Sequence, residues 1–330
     1  MGGITMINAS NRRMKLSETL LLLGMLGSFP VFAADGGTDE AGREYALKGA
    51  KTCLKCHDEF PVKNIFQTPH VQKADKRTPF ATHECETCHG ASPDHLIEPP
   101  NKDQGEKHKP PHMVFGLKSK NYKVSSIDDQ NKVCLGCHES GIRMHWRGSQ
   151  HQAGDIPCAA CHTIHQPKDP VLVKTDQAEV CFACHTDKRA QLRRRSRHPI
   201  REGKVVCSNC HNPHGSAGRT LLVKNTVNET CYQCHAEKRG PFLWEHQPVR
   251  EDCTNCHNPH GSTQQRMLVQ RTPFLCQNCH SERFHPSTLR EGTGLPPNGG
   301  ADDRLLNKGC LNCHSKIHGS NHPSGVRFTR

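Results

Sequence analysis

One sustained apolar run stands out in the 330-residue chain, Leu20 to Phe29, preceded by Arg12, Arg13 and Lys15 and followed by the small-residue site Val31-Phe32-Ala33. A basic start, a short apolar stretch and such a site are the layout of a secretory signal peptide. The run is also well short of the roughly 20 residues that span a hydrocarbon core. Residues 1–34 are therefore read as a signal peptide and 35–330 as the mature domain. No later segment is long and apolar enough to be transmembrane. The remaining apolar positions predict single helical turns, a few short helices such as 176–194, little strand and much loop. Leu-Val pairs recur at Leu172-Val173, Leu222-Val223 and Leu268-Val269.

Composition deepens the puzzle, because a chain that is 33 % apolar and 5 % aromatic, with a mean hydropathy of −0.74, would ordinarily stay disordered. The cysteines resolve it. All 20 lie in ten copies of CxxCH: Cys53 and Cys56, Cys85 and Cys88, Cys134 and Cys137, Cys158 and Cys161, Cys181 and Cys184, Cys207 and Cys210, Cys231 and Cys234, Cys253 and Cys256, Cys276 and Cys279, Cys310 and Cys313. CxxCH is the attachment signature of heme c, two thiols forming thioethers and the adjacent imidazole binding the iron. The motif histidines are His57, His89, His138, His162, His185, His211, His235, His257, His280 and His314. Zinc sites or redox disulfides use related spacings, but neither requires histidine in the fifth place every time. The expected cofactor is heme c, ten groups covalently bound, and these rigid apolar plates are the core. The apoprotein is expected to be unfolded. The fold class is a multiheme cytochrome c: mostly loop with short helices, little strand, a heme-organised core, and an elongated form in which repeats touch mainly their neighbours.

Three stretches, beginning at His162, His211 and His257, align from one motif to the next. The unit carries two motifs, giving five two-heme units at about 50–100, 130–175, 176–224, 225–270 and 271–330. Ten further histidines keep ordered offsets from the motif histidines: His70, His95, His151, His165, His198, His214, His246, His260, His285 and His318. They are the candidate distal ligands. His214 cannot sit across an iron from His211, since so short a link cannot pass around a porphyrin, so such a histidine must serve a neighbouring heme. His83 competes with His95, and His322 with His318. His108, His112 and His145 are read as solvated. Met113, Met144 and Met267 remain possible substitutes for a histidine. The stretches around 101–112 and 292–303 read as loops available to partners.

The formal charge of +12 suggests an anionic partner until the cofactors are counted. Loss of Arg12, Arg13, Lys15 and Glu18 with the leader leaves about +10, and ten ferric hemes with two propionates each offset it. Nucleic acid is not implied.

The motif spacing, CHNPHGS at 210 and 256, NETCYQCHAEKRGPFLWEH at 228–246 and CLNCHSKIHGSNHPSG at 310–325 resemble the periplasmic decaheme c-type cytochromes of the DmsE/MtrA type (MtrA, PioA, MtoA), closest to the MtoA-like branch. The resemblance implies an electron conduit between periplasm and cell exterior, inserted as a monomer in an outer-membrane beta-barrel porin. It further implies periplasmic or inner-membrane c-type cytochromes as partners, with extracellular Fe(II)/Fe(III) or an outer-surface cytochrome outside. It is an electron transfer protein rather than an enzyme, with extracellular Fe(II) oxidation or metal reduction as the expected role. A free periplasmic electron carrier, or a multiheme reductase, are the alternatives. A reductase would need an open axial position, whereas enough histidines exist here to close every iron.

Overall fold

The computed structural model describes residues 37–97, 108–280, 309–323 and 325–329. The leader, His285 and the loop at 292–303 lie outside them. Among the described residues no strand forms, and the longest helix is Ile127–His138. Sequence reading missed that helix; its start is set by Ser126, whose hydroxyl accepts from the Asp129 amide, with Asp128 and Asp129 in the first turn, where carboxylates suit the helix dipole. The predicted helix at 176–194 is instead two, Gln177–Phe182 and Thr186–Gln191, interrupted at the motif Cys181–His185. Val227–Tyr232 begins with a capping box between Thr226 and Glu229.

First and second motifs of a unit sit on different local structures. The first motif follows or ends a short α-helix, as at Ile127–His138 and Val227–Tyr232. From the second unit onward the second motif is a single 3-10 turn, at Cys158–Ala160, Cys207–Asn209, Cys253–Asn255 and Cys310–Asn312. Buried amides fasten the two. Asn131 Oδ1 accepts from the Cys158 amide and Asn228 Oδ1 from the Cys253 amide, both at 2.8 Å; Gln177 Oε1 accepts from the Ser208 amide at 3.0 Å. An amide side chain left unpaired in such a place would cost about 1–3 kcal/mol. Each is satisfied, so the contact fixes the distance between motifs.

Apolar burial is thin. Ala178, Phe182, Leu192 and Ile200 form one cluster, and Ala50, Ile65 and Phe80 another. Along the chain, from Thr52 to Thr329, runs a connected cavity of about 6260 Å³, to whose lining all ten motifs contribute. The chain thus wraps space rather than packing on itself, the architecture expected when the apolar material is a cofactor.

Neighbouring units are stitched by main chain. Ser196 pairs with Ser262, and Trp244 with Ser320, in isolated bridges. At the last three joints the glycine after the second histidine lies hard against the preceding unit. A Cβ on Gly215 would stand 2.1 Å from the His145 carbonyl oxygen, one on Gly261 2.4 Å from that of Gln191, and one on Gly319 2.2 Å from the Phe242 ring. His145, read as solvated, is therefore exposed in its side chain but part of a joint through its backbone.

Candidate heme site

Cysteine positions trace a continuous path. All described thiols are free, and within units the leading cysteines come within interaction range of one another: Cys53 with Cys85, Cys134 with Cys158, Cys181 with Cys207, Cys231 with Cys253, Cys276 with Cys310. The interaction with Cys207, with burial, pushes the Cys181 thiol up, and the same interaction lowers Cys207 to about 7. Across joints it is the trailing cysteines that come within electrostatic reach: Cys88 and Cys137, Cys161 and Cys184, Cys210 and Cys234, Cys256 and Cys279. Alternation of leading and trailing contacts links the first motif to the tenth without a break.

Histidines meet in pairs. At nine motifs a second imidazole faces the motif histidine at a ring-centre distance between 6.0 and 6.3 Å. Two metal–imidazole bonds of about 2 Å each plus the half-width of each ring account for that separation, so an iron fits between them. His57 faces His95; His138 faces His70, His185 faces His151, His235 faces His198 and His280 faces His246. In the other register His89 faces His165, His162 faces His214, His211 faces His260 and His257 faces His318. Every unit beyond the ends therefore lends one histidine forward and one backward. The tenth motif histidine, His314, has its candidate partner His285 outside the described residues.

The two crossing histidines are themselves tied. His151 Nδ1–H donates to the carbonyl of Pro213 and His198 to that of Pro259, both at 2.8 Å, and His246 to Ile317 at 3.1 Å. Each acceptor immediately precedes His214, His260 or His318. Such bonds hold the far nitrogen protonated and leave Nε2 as the nitrogen free to bind a metal. The motif histidines His211 and His257 are oriented likewise, by carbonyls of Thr220 and Arg266. Those residues, with Leu221 and Met267, adopt positive φ, which lets the Leu-Val segment fold back and bridge its motif histidine. Burial, then neighbouring histidines or cations, pushes His214 and His260 down to about 4, leaving neutral imidazoles with a lone pair to give.

Of the competing residues, His83 stacks on Tyr45 at 3.7 Å. His322 shapes the loop beyond His318, its carbonyl accepting from Trp244 Nε1 at 2.8 Å. His112, expected to be solvated, is exposed but held: it takes a hydrogen bond from Arg43 at 2.6 Å and packs on Gly90. At all nine described pairs the facing side chain is histidine rather than Met113, Met144 or Met267. A zinc array is disfavoured, because no group of three or more His, Cys, Asp or Glu converges as a metal site among the described residues. A void lined by every CxxCH, thiols side by side and imidazoles a metal's width apart fit heme c.

The comparisons with known proteins agree. A family model described as a doubled CXXCH motif matches residues 151–190, 198–240 and 246–285. Over 288 residues, 87 % of this chain and 83 % of the relative, the sequence is 46 % identical to multiheme cytochrome MtrA of Shewanella baltica (strain OS185). The chain belongs to the MtrA family of multiheme cytochromes. Weaker similarity reaches the cytochrome c-type protein NrfB of Escherichia coli O6:H1, 26 % identical over 54 % of this chain and 89 % of that protein. NrfB of Haemophilus influenzae is 27 % identical over 40 % of this chain and 63 % of its own length. Like other multiheme cytochromes, this MtrA relative carries covalent heme c and transfers electrons. The family repeats are phased across the joints, pairing motif 158 with 181, 207 with 231 and 253 with 276, whereas the thiol contacts pair motifs within units. Both phases describe one unbroken series.

Proposed function

We propose that the paired histidines are the axial ligands of ten hemes, His285 completing the tenth on His314, and that the chain is a conduit carrying electrons across the outer membrane inside a porin. The single observation behind it is the alternation of motif contacts from Cys53 to Cys310. Each heme supplies an Fe(III)/Fe(II) couple when bound. The chain's own contribution is spacing, through the buried amides, and closure of both faces of each iron, through histidines lent in both directions. Closed irons favour transfer over catalysis, since heme enzymes keep an axial position open. Among the described residues no helix is long and apolar enough to cross a membrane. Irregular backbone cannot face lipid, so a barrel is the sheath such a chain needs. Periplasmic or inner-membrane cytochromes lie at one end and extracellular Fe(II) or Fe(III), or an outer-surface cytochrome, at the other, with the chain in the periplasm and associated with the outer membrane through the porin.

Reconstituted with its porin in liposomes enclosing a redox dye, the protein is expected to pass electrons inward from external Fe(II) and outward from internal reductant. Absence of current both ways removes the conduit; transfer that needs no porin favours a free carrier. For ligation, His198→Ala is expected to leave ten hemes attached and turn one of them high-spin in the optical and EPR spectra. An entirely low-spin spectrum in that variant would remove His198 from the ligand set.

A further inference from the structure

The three aligned segments after His162, His211 and His257 treat the motif histidine differently. At His211 and His257 the far nitrogen donates to a main-chain carbonyl, of Thr220 at 2.9 Å or Arg266 at 2.8 Å. After His162 the equivalent turn, Pro170–Leu172, has none of the positive-φ residues of the other two and leaves Leu172 exposed, and His162 Nδ1–H donates to the carboxylate of Asp169 at 2.6 Å. Its other oxygen accepts from the Thr163 amide at 3.2 Å. The Asp169 side chain is 13 % exposed, so this anion is held by two donors and little screened. Among the described residues no other paired histidine has a carboxylate within hydrogen-bond distance; Glu237 stands 3.8 Å from His235, both side chains more than half exposed. On the facing side, His214 Nδ1 is buried and has no hydrogen-bond partner. Arg143 also acts on His214 through space, but its Nε donates to the His138 carbonyl at 2.6 Å.

We infer that Asp169 makes the heme of the fourth motif, Cys158 and Cys161, a low-potential site relative to its repeat equivalents at His211 and His257. This rests on the reading of His162 as an axial ligand. A carboxylate drawing on Nδ1–H makes the imidazole a stronger donor to iron, and its charge favours Fe(III) over Fe(II). A carbonyl oxygen, with only partial charge, does both weakly. The step affected is the one-electron reduction of Fe(III) to Fe(II) by the adjacent heme, with no bond made or broken. An electron passing from the fourth heme to its repeat equivalent at His211 then moves downhill, and the reverse passage is uphill. Asp169 is a positioning residue in this sense, acting on the couple through His162.

The test is spectroelectrochemical titration of Asp169→Asn and Asp169→Glu, each first shown by mass to carry ten hemes and by EPR to be low-spin throughout. In Asp169→Asn one of ten one-electron waves is expected to rise by about a tenfold change in its Fe(II)/Fe(III) ratio, 59 mV for one electron. Asp169→Glu, which keeps the charge, is expected to move the same wave less. Ten low-spin hemes with unmoved waves overturn the inference while leaving the ligand reading intact. A high-spin heme, or failure of Asp169→Asn to mature where Asp169→Glu does, makes Asp169 structural and also overturns it. If His162 is not a ligand, His162→Ala will keep any hemes it carries low-spin, which sinks the underlying reading instead.

Discussion

Produced without heme attachment, the chain is expected to show collapsed amide dispersion by NMR and no cooperative thermal transition. The two apolar clusters are small, and the cavity that all ten motifs line would be open to water. Fixing each backbone residue costs about 1–2 kcal/mol of conformational entropy, and nothing of comparable size in the protein alone offsets it. The hydrogen bonds that set the motifs apart, from Asn131, Asn228 and Gln177, exchange for water with little net gain. A well-dispersed spectrum from the apoprotein would show that the polypeptide carries its own fold.

Gly261→Ala is expected to break one joint while leaving the covalent heme count at ten. Gly261 has φ +132°, and its added Cβ would meet the Gln191 carbonyl oxygen at 2.4 Å. Strain in such a conformation costs about 1–3 kcal/mol, and overpacking adds a similar amount. The displacement falls beside His260, which faces His211, and beside Pro259, which orients His198. Two hemes, one from each unit, should therefore lose low-spin character together, and the thermal midpoint should fall. Retention of a wild-type EPR spectrum would show that the joint yields without moving either histidine.

Much of this was legible in the sequence because covalent chemistry is local. CxxCH needs no tertiary context, so cofactor, count and family follow from it, and scarce apolar residues announce a chain of short helices and loop. Pairing of histidines was not legible. Spacing says that His211 and His214 cannot share an iron, but the partner of His214 is His162, chosen where Pro213 lies beside His151, 62 residues away in the chain. The buried amides Asn131 and Asn228 read as ordinary polar helix residues until the main-chain donors they accept from, Cys158 and Cys253, are seen at the following motif. Asp169 left a signal that could have been caught: the aligned positions in the other two copies are Gly218 and Gln264, so an acid stands where its repeats have none. The break between Gln177–Phe182 and Thr186–Gln191 coincides with the attachment motif Cys181–His185, whose position was legible.

Reciprocal lending of histidines constrains how such a protein lengthens. A middle unit both gives and takes at each border, whereas His95 faces His57 within the first unit, so that terminus owes nothing outward. With these pairs as the proposed axial ligands, adding a copy beyond it would leave an iron without its second imidazole, while inserting a whole copy between existing neighbours keeps every iron paired. On that ligation, longer chains of this design extend from the middle.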